Sequence, residues 1–393
     1  MGANLSRRRF MELSGGALLA AVLPSMASAA APPVHGAGNG IAANAGPIAP
    51  AIDPETARLY RGAFVLDGNT LASIGRLASD DGFAGELQAI RESGITALKS
   101  TLGGANGTFE ETVADIGLAQ ALIERHPELF IKVQRHADLG RAKPEDRIAV
   151  IFSFEAASML GAELERIDLF RSFDVLVMQL TYNHRTPFGC GCLDGDADGV
   201  TDLGRQAIAR MVAQGVALDL SHANTQTTAD GIALSAKPAV FTHTGCRAVF
   251  NHPRSKRDEE MKALADKGGV MGIYMLPFLT PDSRQPTLAD YMQHMVHALK
   301  VCGEDHVGIG TDSLFFTVTG KDLKAIEEDE AHRRKIGVGA PGENRPPYIP
   351  DINTPRKLEY VAAALRRHGY GAQVVDKVLG LNFSRVFKEI WTA

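Results

Sequence analysis

Residues 215–245 read GVALDLSHANTQTTADGIALSAKPAVFTHTG. Two short apolar runs, VALDL and PAVFT, each lead into a histidine, His222 and His243. Between them lies a polar, Ala-rich segment long enough for one helix. An apolar run, a crossover helix and a second apolar run is the pattern of a βαβ unit in a parallel sheet. Both strands of such a unit point the same way, so both imidazoles stand at one rim and can share a metal ion. A lone histidine reads more simply as a hydrogen-bonded core residue; the matched pair points to ligation.

Working outward, the same alternation continues along the chain. Apolar runs fall at 63–67, 95–100, 148–154, 175–180, 216–220, 239–242, 269–274 and 307–310. Amphipathic helices are expected between them, among them 110–125, 203–214 and 288–302. Apolar runs buried on both faces and separated by helices predict an α/β (β/α)8 TIM-type barrel rather than an open sheet. A ninth short run, 130–133, is expected to lie outside the barrel. No glycine-rich phosphate fingerprint follows the first strand, which argues against a dinucleotide-binding domain. No short-period repeat is present.

Composition narrows the function classes. The chain has 393 residues, 45% hydrophobic and 22% charged, with a net charge of -5. That is ordinary globular composition, with no basic face for nucleic acid. Four cysteines are too few for a disulfide scaffold at this length. Residues 1–31 have the order of a twin-arginine signal peptide: Arg7-Arg8-Arg9-Phe10, an apolar run at 15–22, then Ala27-Ser28-Ala29 as a cleavage site. Residues 32–53 are rich in Pro, Gly and Ala and read as a flexible linker, with the barrel domain at 54–393. A periplasmic protein is therefore expected, without a membrane anchor in its mature form.

In a parallel barrel the chemistry sits where strands end. Reading each run to its end gives Asp67 and Asn69, Glu155, Thr181 with Tyr182, His222, His243 and Asp312. A glutamate, two imidazoles and a further carboxylate at one rim suit zinc or a similar divalent ion. Glu155, after IAVIFSF, is too costly to bury without a cation or strong donors. Asp67 and Thr181 are expected to cap loops.

These motifs resemble the membrane (renal-type) dipeptidases, a zinc peptidase family on an amidohydrolase-like barrel. The likeness runs from about Ala63 onward and rests on DLSH, FTHTG, the HPR segment and GIGTD. It implies that Glu155 bridges metals, that His222 and His243 hold the second ion, that Arg254 binds the substrate carboxylate, and that Asp312 moves protons and meets the substrate amine. Two places depart from the pattern. The family's first strand ends in Asp-Gly-His-x-Asp, where this chain has Asp67-Gly68-Asn69-Thr70-Leu71. Asn69 is at best a weak ligand and Leu71 none, so one zinc ion is expected rather than two. Tyr182 stands where many members carry a histidine, and a phenol can still donate to a developing oxyanion.

The resulting expectation is a metallodipeptidase-like hydrolase that cleaves dipeptides or related small amides with a metal-activated water. Tyr182 and Asp312 are the catalytic candidates, and Arg254 and Tyr182 the substrate-binding ones. Two alternatives stand beside it: a degenerate member that binds a peptide or amino-acid-like ligand without turnover, and an amidohydrolase acting on a lactam, N-acyl amino acid or ester. The partner is a dipeptide or similar small molecule, with a homodimer left open. His184 reads equally well as a loop histidine. The acidic loop at 194–198 lacks the glutamate of a calcium loop, Arg205 standing in its place. The charge run EEDEAHRRK at 327–335 reads as a solvated helix face within a polar insertion at the rim.

Overall fold

The computed structural model describes residues 51–71, 83–281 and 284–392. The expected signal peptide and most of the linker lie outside the described residues. The barrel domain opens with helix Pro54–Gly62, capped by Asp53, whose carboxylate accepts the Thr56 N–H at 2.9 Å.

All eight expected runs form strands. These are β1 (Leu66–Thr70), β2 (Ala97–Thr101), β4 (Ile148–Phe154), β5 (Val175–Gln179), β6 (Ala217–Asp219), β7 (Val240–Cys246), β9 (Val270–Ile273) and β10 (Val307–Ile309). They pair in parallel in that order. Every residue of β4 is buried, as a strand covered on both faces requires. The ninth run becomes β3 (Phe130–Lys132), which pairs only with the first half of β4, while β5 pairs with the second half. A two-residue strand, β8 (Ser255–Lys256), pairs in parallel with the end of β7. The helix expected between the two histidines is Thr225–Leu234, and that expected at 288–302 is Leu288–Cys302.

The seam between β1 and β10 closes through the ends of the strands. Asp312 N–H donates to Asn69 O at 2.9 Å, and Asp67 accepts both the N–H and the hydroxyl of Thr311, at 2.8 and 2.6 Å. Asp67 is thus a structural clasp. Burial pushes its carboxyl up to about 6 against those donors. The barrel floor is filled by helix Asn382–Ile390. The Phe383 ring sits where a side chain at Gly68 or Gly308 would be: a Cβ there would stand 2.8 or 2.6 Å from it.

The insertion after β10 corrects one sequence expectation. It forms helix Gly320–Lys335 and folds back over the rim. Val338 O accepts from Asn183 Nδ2 at 2.8 Å, and Gly337 O and Pro341 O bond His184 and His252 at 2.8 and 2.7 Å. The charge run is therefore only partly solvated, because Glu330 and Arg333 turn inward. The loop reading of His184 holds, since its ring anchors backbone. The four cysteines are free and buried.

Candidate metal centre

Glu155 follows β4 directly, His222 lies three residues beyond β6, and His243 lies within β7. The barrel brings them together: one ligand atom from each lies within 4.8 Å of the others. The two imidazoles meet through their Nε2 atoms, 2.9 Å apart. Their tautomers follow from what each Nδ1 touches. His222 Nδ1 is 2.8 Å from Asn183 Oδ1, which can only accept, so the ring proton sits on Nδ1. His243 Nδ1 is 2.9 Å from Thr242 Oγ1, whose own proton goes to Asp219 Oδ2, so that ring is protonated on Nδ1 as well.

Both Nε2 lone pairs therefore face one another in a buried site. Apart from the Arg254 Nη2 hydrogen, 3.0 Å from His222 Nε2, no described group donates into this pair, and two acceptors 2.9 Å apart repel unless a cation stands between them. Burial and the Arg254 guanidinium hold both imidazoles neutral, well below the usual histidine range, which is the state a metal needs. With the Glu155 carboxylate, the donor set fits a tetrahedral divalent ion with one position left for water.

The acidic side of the site is organised by Asn69. Its Nδ2 donates to Glu155 Oε1 at 2.6 Å and to Asp312 Oδ1 at 2.9 Å. Thr101 adds a hydroxyl to the same Glu155 oxygen at 2.7 Å. Asn69 thus turns its nitrogen toward the carboxylates, and its oxygen lies 3.2 Å from the Thr101 hydroxyl. Asp312 has a positive φ of 49°, a left-handed conformation that aspartate tolerates and that marks functional turns. Burial and the Glu155 charge push its carboxyl up to about 7, with Arg254, Lys99 and Arg333 opposing.

Arg254 is 1% exposed. Its Nη1 is pinned to Ser221 O at 2.6 Å and its Nη2 stands 3.0 Å from His222 Nε2. Tyr182 stacks on His222 at 4.1 Å between ring centres, and its hydroxyl accepts from Arg333 Nη2 at 2.8 Å. Burial raises its phenol above the ordinary range. A cavity of about 200 Å³ opens beside Tyr182 and Asn183, bordered by Asn106, Ser158 and Val338.

Sequence reasoning missed Asn183, Thr242 and Asp219, which orient the histidines, and Arg333, which reaches Tyr182 from the insertion. The local signals are modest: Thr242 precedes His243, Asn183 follows Tyr182, and Asp219 stands three residues before His222. Arg333 gave none.

A family model described as membrane dipeptidase (peptidase family M19) matches residues 92–328, over half of the chain. The match begins after β1, so the departures at Asn69 and Leu71 fall outside it. An uncharacterised Klebsiella pneumoniae protein from the pqqA 5′ region is 27% identical over 65% of this chain and 87% of its own length. A Claviceps purpurea protein named dipeptidase TcpJ is 22% identical over 72% of this chain and 61% of its own. Among solved structures, an amidohydrolase of Pseudomonas aeruginosa is 27% identical, with a TM-score of 0.71, covering 86% of this chain and 99% of that one. A metallopeptidase of Rhodobacter sphaeroides, liganded with a phosphinate mimic of L-Ala-D-Ala, shares the fold at 20% identity and a TM-score of 0.67, covering 84% and 99%.

Proposed function

This chain belongs to the membrane dipeptidase family, peptidase family M19, and from that premise we propose that it hydrolyses dipeptides or related small amides with one bound zinc ion. The observation that carries the reading is the pair of His222 and His243 Nε2 atoms, 2.9 Å apart, with both Nδ1 hydrogens already committed. A zinc ion held by Glu155, His222 and His243 supplies Lewis acidity and a water acidic enough to attack near neutral pH.

The chain's own groups do the rest. Asp312, held 2.9 Å from Asn69, accepts the proton of the attacking water and returns it to the leaving amine. Its raised carboxyl, near 7, suits a group that must take and give a proton at neutral pH. The Tyr182 hydroxyl donates to the developing oxyanion, while its oxygen accepts from Arg333. The Arg254 guanidinium binds the substrate carboxylate from beside His222.

To test this, the mature protein is purified, its metal content measured, and dipeptides assayed with and without added zinc. The expected result is turnover that requires zinc and is lost in Glu155→Gln and His222→Ala. Protein that neither binds zinc nor turns over any dipeptide or small amide would overturn the reading. Asn69 and Leu71 favour a second reading, a degenerate member that binds its ligand without cleaving it; tight binding of a dipeptide to zinc-loaded protein without turnover would establish that one.

We also propose export to the periplasm through the twin-arginine route, on the strength of Arg7-Arg8-Arg9 and the run that follows. Arg7→Lys with Arg8→Lys should retain the protein in the cytoplasm, and unchanged recovery from the periplasm would refute the route. No described helix is long and apolar enough to cross a membrane.

A further inference from the structure

In this chain the place that the family resemblance gives to a first metal ion is filled by hydrogen-bond donors. Asn69 Nδ2 lies 2.6 Å from Glu155 Oε1 and 2.9 Å from Asp312 Oδ1. Thr101 Oγ1 adds a third contact, 2.7 Å from Glu155 Oε1. Each of these hydrogens occupies a lone pair that a second cation would need. Leu71, at the other expected ligand position, packs against the core and offers no donor atom.

Below this layer lies Lys99. Alternate residues of a strand share a face, so on β2 Lys99 points to the same side as Thr101. Lys99 is fully buried. Its ammonium makes one hydrogen bond, to Ser153 Oγ at 3.1 Å, and that hydroxyl passes its own proton to Ser100 O at 3.0 Å. Among the described residues Lys99 forms no ion pair. A buried, unpaired ammonium is costly unless nearby negative charge offsets it. The negative charge here is Glu155 with Asp312, two carboxylates bridged by one amide. Ser153 stands two residues before Glu155 and shares its face of the strand, so the Lys99 ammonium lies one layer below the glutamate.

We infer that Lys99, Asn69 and Thr101 together replace the first metal ion: a fixed ammonium and a set of N–H and O–H donors hold Glu155 and Asp312 as a dication otherwise would. The inference rests on the hydrolase reading above and deepens it. It makes the site mononuclear by construction, whatever the zinc concentration. It also makes Asn69 and Lys99 positioning residues, acting through Glu155 and Asp312 rather than on substrate.

The test is a metal count, independent of turnover. Metal-free protein is titrated with zinc by calorimetry, and bound zinc is counted after dialysis. Wild type is expected to take one equivalent, lost in His222→Ala. The double variant Asn69→His/Leu71→Asp restores the expected ligands but keeps the ammonium. The triple variant, adding Lys99→Met, removes the charge that repels a dication. The triple variant is expected to bind a second zinc at least ~10-fold more tightly than the double. Two equivalents in wild type, or equal second-site affinity in the two variants, overturns the inference while leaving the hydrolase reading intact. No bound zinc in wild type sinks both, so the two failures are distinguishable. Should the variants fail to fold, the wild-type stoichiometry decides alone.

Discussion

Thr242→Val is the sharpest probe of how the histidines are held. The substitution keeps the shape of the side chain and deletes one hydroxyl. That hydroxyl donates to Asp219 and lies 2.9 Å from His243 Nδ1. Asp219 keeps its other donors, the N–H groups of Ser221 and Thr242 and the Ser221 hydroxyl. His243 keeps no acceptor for its Nδ1 hydrogen, so the tautomer with its proton on Nε2 becomes competitive and blocks the ligating lone pair. Loss of such an outer partner costs ~10–100-fold in metal affinity, or about 1.4–2.8 kcal/mol at about 1.4 kcal/mol per decade. The metal-free fold loses about 1.5–3 kcal/mol, the worth of a hydrogen bond to a charged group. Zinc affinity is read by competition with a chromogenic chelator, and fold stability by urea unfolding of metal-free protein. Thr242→Ser should recover most of both. Zinc affinity unchanged in Thr242→Val would mean that His243 does not ligate through Nε2 as oriented here, and the argument from facing lone pairs would fail with it.

Other outcomes follow from the same geometry. Tyr182→Phe should lower kcat by ~100-fold with zinc content unchanged, as for loss of one oxyanion donor; equal kcat would remove Tyr182 from the chemistry. Zinc at 100 times its Kd should stabilise the fold by about 2.7 kcal/mol, and chelation should reverse that in a melting experiment. The rim insertion should respond to pH. Burial and neighbouring acids raise Glu330 to about 8, and burial raises Asp329 to about 6, with Arg333 opposing in both and Glu343 and Arg334 also facing them. Groups whose closed-state pKa is raised hold protons that the open state releases, so the closed insertion is most stable below the ordinary carboxyl range. That stability is lost as pH rises toward about 8. Hydrogen-exchange protection in 320–345, corrected for the intrinsic rise of amide exchange with pH, should therefore be lower at pH 8.5 than at pH 5.5, and the reverse order would refute the assignment.

The parts legible in the sequence were those set by local pattern. Eight apolar runs gave eight strands because a parallel strand covered on both faces has little choice but to be continuously apolar. The rim followed, because a residue's place at a strand end is a property of the strand alone. Asp67 was rightly assigned a structural role. The supporting contacts were not legible, because each depends on which distant segment closes over the site. Asn183 orients His222 from another strand's loop, and Arg333 reaches Tyr182 across 151 positions. A charge run that looks solvated in isolation turned inward because the rim offered a phenol and the insertion's own Glu343 a carboxylate. Lys99 was visible as a charged residue inside ITALKS, yet only the closed barrel shows that its ammonium is buried against Ser153, two residues before Glu155.

The aromatic plug beneath the barrel links two ends of the molecule that chemistry would treat separately. Phe383 presses on Gly68, the residue immediately before Asn69. Any change that lets this ring shift also frees the strand whose tip spaces the proton-handling acid from the ligating one. Wear at the base of the molecule should thus surface as mis-set chemistry at its mouth, and Phe383→Leu is a distant lesion that a catalytic assay would feel as well as a melting curve.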